Sequence, residues 1–583
     1  MNENSDTPRQ KPKIGRFDRS FFSREKRLSC IGLGEYGGKA HGLAFIHNVL
    51  MTELKTEEFP NIDVDFPSLT VVCTDVFDAF MRRNYLDEIV YTDLPDDRIA
   101  LAFQRAELPF EIVGDLRALV EEVHTPLAVR SSSLLEDSTY EPFAGVYATK
   151  MIPNNQFDPD IRFRKLVEAI KFVFASTYFK SAKDYMNATN HSIKDEKMAV
   201  IIQEVVGKKH RERFYPELSG VARSYNYYPM GRAKHEDGVV NLALGLGKTI
   251  VDGGVSWTYS PSYPKVDPPY RSVEEMLKYS QSDYWTINMG EPDEYDPIRE
   301  TEYLVLENIV TAESDQTLRY LSSTYNSQSG RLSIGISAKG PRVITFAPLL
   351  VWEEFPLNQL IQKILSICES AFNAPVEIEF AMTFNPHRFG FLQVRQMVVA
   401  SDMVDIDEDE LGNETILAAS TNVVGNGVIN SIQDIVYVKP GNFETKHTRQ
   451  IASDLARINS NLVANGRPYM LIAIGRLGTT DPWLGIPINW GQISGAKTIV
   501  EATQQNFKVE LSQGSHYFHN LTSMGVCYFS VPYTGPHQID WEWLDHQEII
   551  DETQFTRHVK LCSPLLIKVD GRSGRGVIHK FCD

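Results

Sequence analysis

The 583-residue chain carries 58 Lys and Arg against 76 Asp and Glu, a formal net charge of −18, with 42% hydrophobic and 23% charged residues. So acidic a balance excludes a nucleic-acid groove as the main business, while leaving room for a local basic pocket that takes nucleotide phosphates. The length implies about two to four domains, and the six scattered cysteines (Cys30, Cys73, Cys368, Cys527, Cys562, Cys582) form no CxxC or His-Cys cluster, so they read as reduced thiols rather than as disulfides or a zinc site.

Residues 1–25 are polar, with no apolar signal-like core, and are expected to form a disordered tail. No apolar run is long enough to span a bilayer, so a cytoplasmic protein without membrane contact is the expectation. From Arg27 onward, strand-like and helix-like runs alternate as far as about residue 400, which implies an α+β multidomain architecture.

The glycines of Gly34-Glu-Tyr-Gly-Gly38-Lys39 precede a helix expected over 39–50, where backbone N–H groups and the lysine charge suit an anion. No Ser or Thr follows Lys39 in Walker spacing, and an ordinary turn fits as well. A strand over 71–73 comes next. A later one, Leu127-Ala-Val-Arg130-Ser-Ser-Ser133, ends in an arginine beside three hydroxyls, which suits either bidentate phosphate binding or a serine-capped exit. A helix is expected over 162–182 and a strand over 198–203. Gly245-Leu-Gly247-Lys248 marks a turn where backbone approaches a ligand or a neighbouring strand. After a helix over 356–372, Val376-Glu-Ile-Glu-Phe-Ala-Met, a turn at 385–388 and Phe389-Gly-Phe-Leu-Gln-Val-Arg-Gln-Met397 read as a hairpin. Alternation puts Glu377 and Glu379 on one face of the first strand and Gln393 and Arg395 on one face of the second. Carboxylate and amide oxygens suit Mg²⁺ and a guanidinium clamps phosphate, whereas a solvated charged face is the plainer reading.

Taken in order, these runs resemble a known family. Gly-Gly-Lys39 is followed by Val-Arg130-Ser-Ser with Glu136-Asp137 and Phe143-Ala-Gly145, then by Gln203-Glu-Val-Val206 and Ser219-Gly-Val-Ala222. Gly-Leu-Gly247 and Glu-Ile-Glu379-Phe…Leu-Gln393-Val-Arg395 complete the set. The set resembles the ATP-binding part of the pyruvate phosphate dikinase and phosphoenolpyruvate synthase family, a relative of ATP-grasp enzymes. The resemblance implies a two-lobed, ATP-grasp-like nucleotide-binding domain, with a first lobe over 26–225 and a second over 226–400. Lys39 and Arg130 would grip nucleotide phosphates, and Glu379 and Gln393 would carry Mg²⁺. Arg395, with Arg130, would neutralise charge in phosphoryl transfer, and the segment of Gln203, Glu204 and Val206 would lie against adenine. The chain departs from the pattern twice: Ser138-Thr-Tyr-Glu-Pro142 and Val146 replace an acidic Leu-Pro-Asp-like stretch and a Gln, and Arg223-Ser-Tyr-Asn-Tyr-Tyr-Pro229 replaces Phe-Thr-x-x-Pro.

The acidic run at 401–414 marks a linker, taken as 401–420, before a separate unit at 421–583. There Thr480-Asp-Pro-Trp483, Ala496-Lys-Thr-Ile-Val500, Ser512-Gln-Gly-Ser-His516 and Val569-Asp-Gly571 follow the order of the family's swivelling phosphohistidine domain, a small β/β/α-like unit. The histidine segment is altered from Gly-Gly-x-Thr-Ser-His-Ala-Ala. A histidine after Gly-Ser at a helix start suits a nucleophile, and a polar helix-start residue without chemistry is the alternative. His516 and His519 have no carboxylate or Cys placed to complete a metal site. No pyruvate-binding barrel is expected. The expectation is therefore an ATP- and Mg²⁺-dependent phosphotransferase of the dikinase type, passing a phosphoryl group through His516 to a small-molecule or protein acceptor. A non-catalytic ATP-binding sensor or scaffold is the alternative, and a homo-oligomer is compatible with both.

Overall fold

In the computed structural model, two six-stranded sheets organise the chain up to residue 397. The residues described are 14–19, 27–136, 145–189, 191–229, 231–265, 270, 272–292, 294–397, 399, 404, 406–412, 415–479, 481, 483–504, 515–533, 535–571 and 573–580. The motif residues Asp137 to Ala144, Thr480, Pro482, and Ser512 to Gly514 lie outside them.

The first sheet runs Gly15–Arg16, Leu28–Ile31, Leu69–Val72, Met198–Glu204, Leu127–Ser133, Thr149–Ile152. Its inner strands are rich in Val and Ile and buried on both faces, as strands covered by helices on either side must be. The tail expected over 1–25 needs correction at 14–19: Gly15–Arg16 pairs in parallel with Ser29 and Cys30, and Ile14 is buried in the core. The helix expected over 162–182 is two, Pro159–Ser176 and Lys180–Ala188. Phe179 turns extended between them, and Tyr178 drops into the core against Phe77 and Tyr91.

The second sheet runs Trp257–Tyr259, Val239–Ala243, Leu218–Arg223, Val376–Phe384, His387–Gln396, Asp63–Asp65. The expected hairpin thus sits inside it, flanked by Leu218–Arg223, with a tighter turn than the sequence suggests. Helices Gly38–Glu53 and Leu357–Phe372 pack on one face and bury their apolar sides, Leu43, Ile46 and Leu50 on the first and Leu360, Ile361 and Ile364 on the second.

Beyond residue 415, a seven-stranded sheet holds four adjacent parallel strands: Asp434–Val438, Tyr469–Ile474, Ala496–Ala502 and Cys527–Val531. A four-stranded antiparallel sheet joins Ile416–Ser420, Arg575–His579, Leu566–Asp570 and Asn426–Ile429. The described part of the acidic stretch forms a short turn of helix, Glu408–Gly412, whose Leu411 packs with Val577 and whose Glu410 pairs with Lys568. That segment is anchored to the C-terminal sheet instead of hanging as a free tether.

The two parts of the chain share a core. One cluster of buried side chains runs from Phe77, Phe174 and Tyr185 through Tyr227 to Phe518, Ile499 and Tyr528. Phe518, on the helix His516–Ser523, meets the Tyr227 and Tyr228 rings edge-on, with centroids 5.6 and 5.9 Å away. The whole is a mixed α/β architecture of several sheets. Among the described residues no helix is long and apolar enough to cross a membrane.

Candidate functional site

Lys39 is placed by a clip between two motifs that are far apart in sequence. Gly37 adopts φ 76°, and a Cβ there would sit 1.7 Å from the Ser132 carbonyl oxygen, so only glycine lets this loop lie on the end of the Leu127–Ser133 strand. Ala40 N–H donates to Ser132 Oγ (3.1 Å), and Ser132 Oγ donates to the Tyr36 carbonyl (2.9 Å). The lysine ammonium, nearly buried, lies 2.8 Å from Glu136 Oε1. Glu136 in turn accepts from Ser131 Oγ and from the Ser133 backbone N–H, each at 2.9 Å.

The second sheet carries two transverse rows of side chains on one face. In one, Arg223, Glu377 and Arg395 stand opposite one another on three adjacent strands; in the other stand Val221, Glu379 and Gln393. Residues two apart along a strand share a face, so the rows lie about 7 Å apart. Arg130 reaches the second row from the first sheet. Its Nη2 donates to Glu379 Oε2 (3.4 Å) and to Gln393 Oε1, and its Nη1 donates to Gln203 Oε1 (3.2 Å) and to the Leu392 carbonyl (3.3 Å). In the first row both arginines hold Glu377. Burial would raise the Glu377 pKa, but Arg223 and Arg395 keep it below the ordinary carboxylate range, and it stays charged.

A cavity of about 340 Å³ opens between the sheets, and Lys39, Arg130, Gln203, Glu204, Val206 and Glu379 line it. That size is at the lower end of the range of small-molecule sites. Gln203 Nε2 is buried without a hydrogen-bond partner, a spare donor in the wall. His516 lines the same cavity. It is the first residue of the helix His516–Ser523, which Ser515 caps by accepting from Phe518 N–H (3.2 Å). A Cβ added at Gly145 would sit 2.6 Å from His516 Nδ1, so that glycine admits the ring. Burial first of all pushes the His516 pKa well below its ordinary value, and the charges of Arg395 and Lys39 push the same way while Glu377 opposes. The imidazole is neutral at neutral pH. Burial, with Arg395 and Arg223, does the same to His519.

Of the residues singled out from sequence, Gln393 stands behind the wall on Arg130, and Arg395 lies deeper still, on Glu377. The structure adds Lys248, Asp252 and Glu300 to the far wall. Lys248 pairs with Asp252 at 2.7 Å, and burial raises the Glu300 pKa against the pull of Lys248. Lys248 was visible as the residue after Gly-Leu-Gly247. Glu300 lies in no motif, and nothing local marks it.

The oxygens of Glu379 and Gln393 converge on one cation position, which the Arg130 guanidinium takes. Among the described residues no group of three or more His, Cys, Asp or Glu is placed to hold a metal. Two convergent hard oxygens nevertheless fit Mg²⁺, which draws its remaining ligands from phosphates and water.

The chain is similar to the uncharacterized phosphotransferase YvkC of Bacillus subtilis (strain 168), 25% identical over 192 residues. The match covers 33% of this chain and 20% of that protein, so the chain spans only a fifth of its relative. The family model described as pyruvate phosphate dikinase, AMP/ATP-binding domain, matches residues 34–414, which take in the hairpin sheet with both its rows, four of the six strands of the first sheet, and the cavity wall apart from His516. On that match the chain belongs to the family of pyruvate phosphate dikinase AMP/ATP-binding domains.

Proposed function

We propose that the protein is an ATP-dependent phosphotransferase of the dikinase type, with an ATP-grasp-like nucleotide site and a C-terminal unit of the swivelling phosphohistidine kind. The observation that carries the proposal is the presence of His516 in the same cavity as Lys39, Arg130 and Glu379. Nucleotide would lie between the sheets, its base toward Gln203, Glu204 and Val206 and its phosphates toward Lys39 and Arg130. Mg²⁺ held by Glu379 and Gln393 would supply charge neutralisation on the phosphate oxygens. For that, Arg130 must give up its bonds to both side chains and turn to the phosphates.

The neutral imidazole offers a nitrogen lone pair to phosphorus. Attack at the β phosphorus forms the P–N bond as the P–O bond to the α phosphate breaks and its electron pair leaves with AMP; the γ phosphoryl of the resulting diphosphohistidine then passes to water or inorganic phosphate, leaving phosphohistidine. Lys39 and Arg130 stabilise the charge spread over the transferring oxygens. The core shared by the two parts of the chain supports transfer without a preliminary movement, since His516 already faces the cavity.

The test uses ATP labelled separately at the β and γ phosphates. The expected result is AMP together with an acid-labile, base-stable phosphoprotein that His516→Ala fails to form. Stabilisation of the fold by Mg²⁺·ATP with no labelling of the wild type would instead favour a nucleotide sensor.

A further inference from the structure

Arg223 stands where the chain departs from the family pattern, and its surroundings are those of an anion site. It is 1% exposed, its Nε donates to Glu377, and its Nη1 and Nη2 are buried with no hydrogen-bond partner. A buried guanidinium with two idle nitrogens is costly, because each forfeits its bond to water. The register removes local compensation: the row sets two guanidiniums against one carboxylate, leaving one net positive charge inside the protein. The neighbours from the C-terminal part add none. The Phe518 ring lies 5.8 Å from the Arg223 guanidinium carbon, and His519 and His516, on the same helix, are neutral. Tyr227, beside it, is an un-ionised phenol.

We propose that Arg223, with Arg395, forms a cradle for a tetrahedral phosphate group against the helix His516–Ser523, either the phosphoryl group carried on His516 or free inorganic phosphate, which enters as the Phe518 ring moves off Arg223. A phosphate brings the missing negative charge and oxygens that match the two idle nitrogens in bidentate fashion. The rows then divide the work: Glu379 and Gln393, with Arg130, serve the nucleotide end, and Arg223 and Arg395, one row on, serve the group that has left it. This inference rests on the phosphotransferase reading for its covalent source, while the binding site rests on the two idle nitrogens of Arg223 and the row of two arginines against one carboxylate.

The test compares full-length wild type, Arg223→Met, Arg223→Lys and His516→Ala by thermal melting, with inorganic phosphate and with Mg²⁺·ATP separately. It also compares the melting of ³²P-labelled and unlabelled protein. With free phosphate as the source, phosphate raises the melting temperature of wild type and of His516→Ala. Arg223→Met weakens phosphate binding by about tenfold or more, the worth of a charge-assisted bond. With the phosphohistidine as the source, free phosphate has no effect on wild type, labelled wild type melts higher than unlabelled, and Arg223→Met loses that difference. In both cases Mg²⁺·ATP still stabilises Arg223→Met. Arg223→Lys keeps the charge without the fork and covers a failure of Arg223→Met to fold; its phosphate response is expected to fall while its unliganded melt stays near wild type. The proposal is overturned if the arginine variants respond like wild type, or if neither phosphate nor labelling stabilises the wild type. Failure of the phosphotransferase reading shows separately, as no stabilisation by Mg²⁺·ATP.

Discussion

Glu501→Gln is expected to stabilise the protein at alkaline pH and to leave it unchanged at acid pH. Glu501 sits on the Ala496–Ala502 strand, buried among Tyr228, Tyr517 and Tyr528 where the two parts of the chain meet. Its Oε1 accepts the Leu477 backbone N–H at 2.9 Å, and Arg476 is the positive charge that acts on it. Burial raises its pKa from 4.5 to about 7, against those opposing contacts. The unfolded carboxyl releases its proton near 4.5 while the folded one holds it to about 7, so the unfolded state binds fewer protons across that window. Stability therefore falls as pH climbs through it, by about 3 kcal/mol in all. Glutamine keeps the acceptor for Leu477 and carries no charge to bury. Its amide N–H groups have the hydroxyls of Tyr228 and Tyr517 nearby, both without partners. Urea denaturation at pH 5 and pH 8 reads the effect: the two proteins should differ by less than about 1 kcal/mol at pH 5, where the unfolded carboxyl is already partly ionised, and the variant should gain about 3 kcal/mol at pH 8. The loss of stability below about pH 6.5, where His516 and His519 stay neutral only in the fold, is common to both proteins and cancels. A stability difference that does not change between pH 5 and pH 8 would refute the reasoning.

Glu379→Ala should abolish the rise in melting temperature produced by Mg²⁺·ATP without unfolding the protein, and a variant that keeps the full rise removes Glu379 from the metal position. Gly145→Ala forces a methyl group to 2.6 Å from His516 Nδ1, so protein labelling from ATP should be lost; normal labelling would show that the ring need not sit there. Cleavage within 401–414 should yield fragments of about 45 and 20 kDa that co-elute on gel filtration, because Tyr227, Phe518 and Ile499 belong to one buried cluster. Separate elution would contradict that shared core.

The hairpin was the most legible part of the chain. Period-two alternation is a local rule, and the register pairs Glu379 with Gln393 and Glu377 with Arg395 on the faces it implies. Alternation does not say what meets that face. Arg395 is expected toward phosphate, and it lies on Glu377, its register partner, in a row that Arg223, more than 150 residues earlier, completes. The Gly-Gly-Lys39 turn and the Arg-Ser-Ser strand were each ambiguous alone, since the clip that joins them runs through Glu136 and Ser132 and exists only in three dimensions. The same holds for the C-terminal unit: its strands follow from β-branched runs, whereas the seating of Phe518 between Tyr227 and Tyr228 is a long-range fact that no window of sequence contains. The helix expected over 162–182 is interrupted at Phe179, whose extended backbone no local pattern announces, beside the buried Tyr178.

The row of Arg223, Glu377 and Arg395 also constrains the order in which its members can change. Loss of either arginine leaves the other to neutralise Glu377, and the interior then holds a balanced pair. Loss of Glu377 first leaves two guanidiniums side by side in a buried place, a far costlier intermediate. Mutational paths through this part of the protein are therefore directional: an arginine goes before the glutamate, because losing the glutamate first strands both guanidiniums.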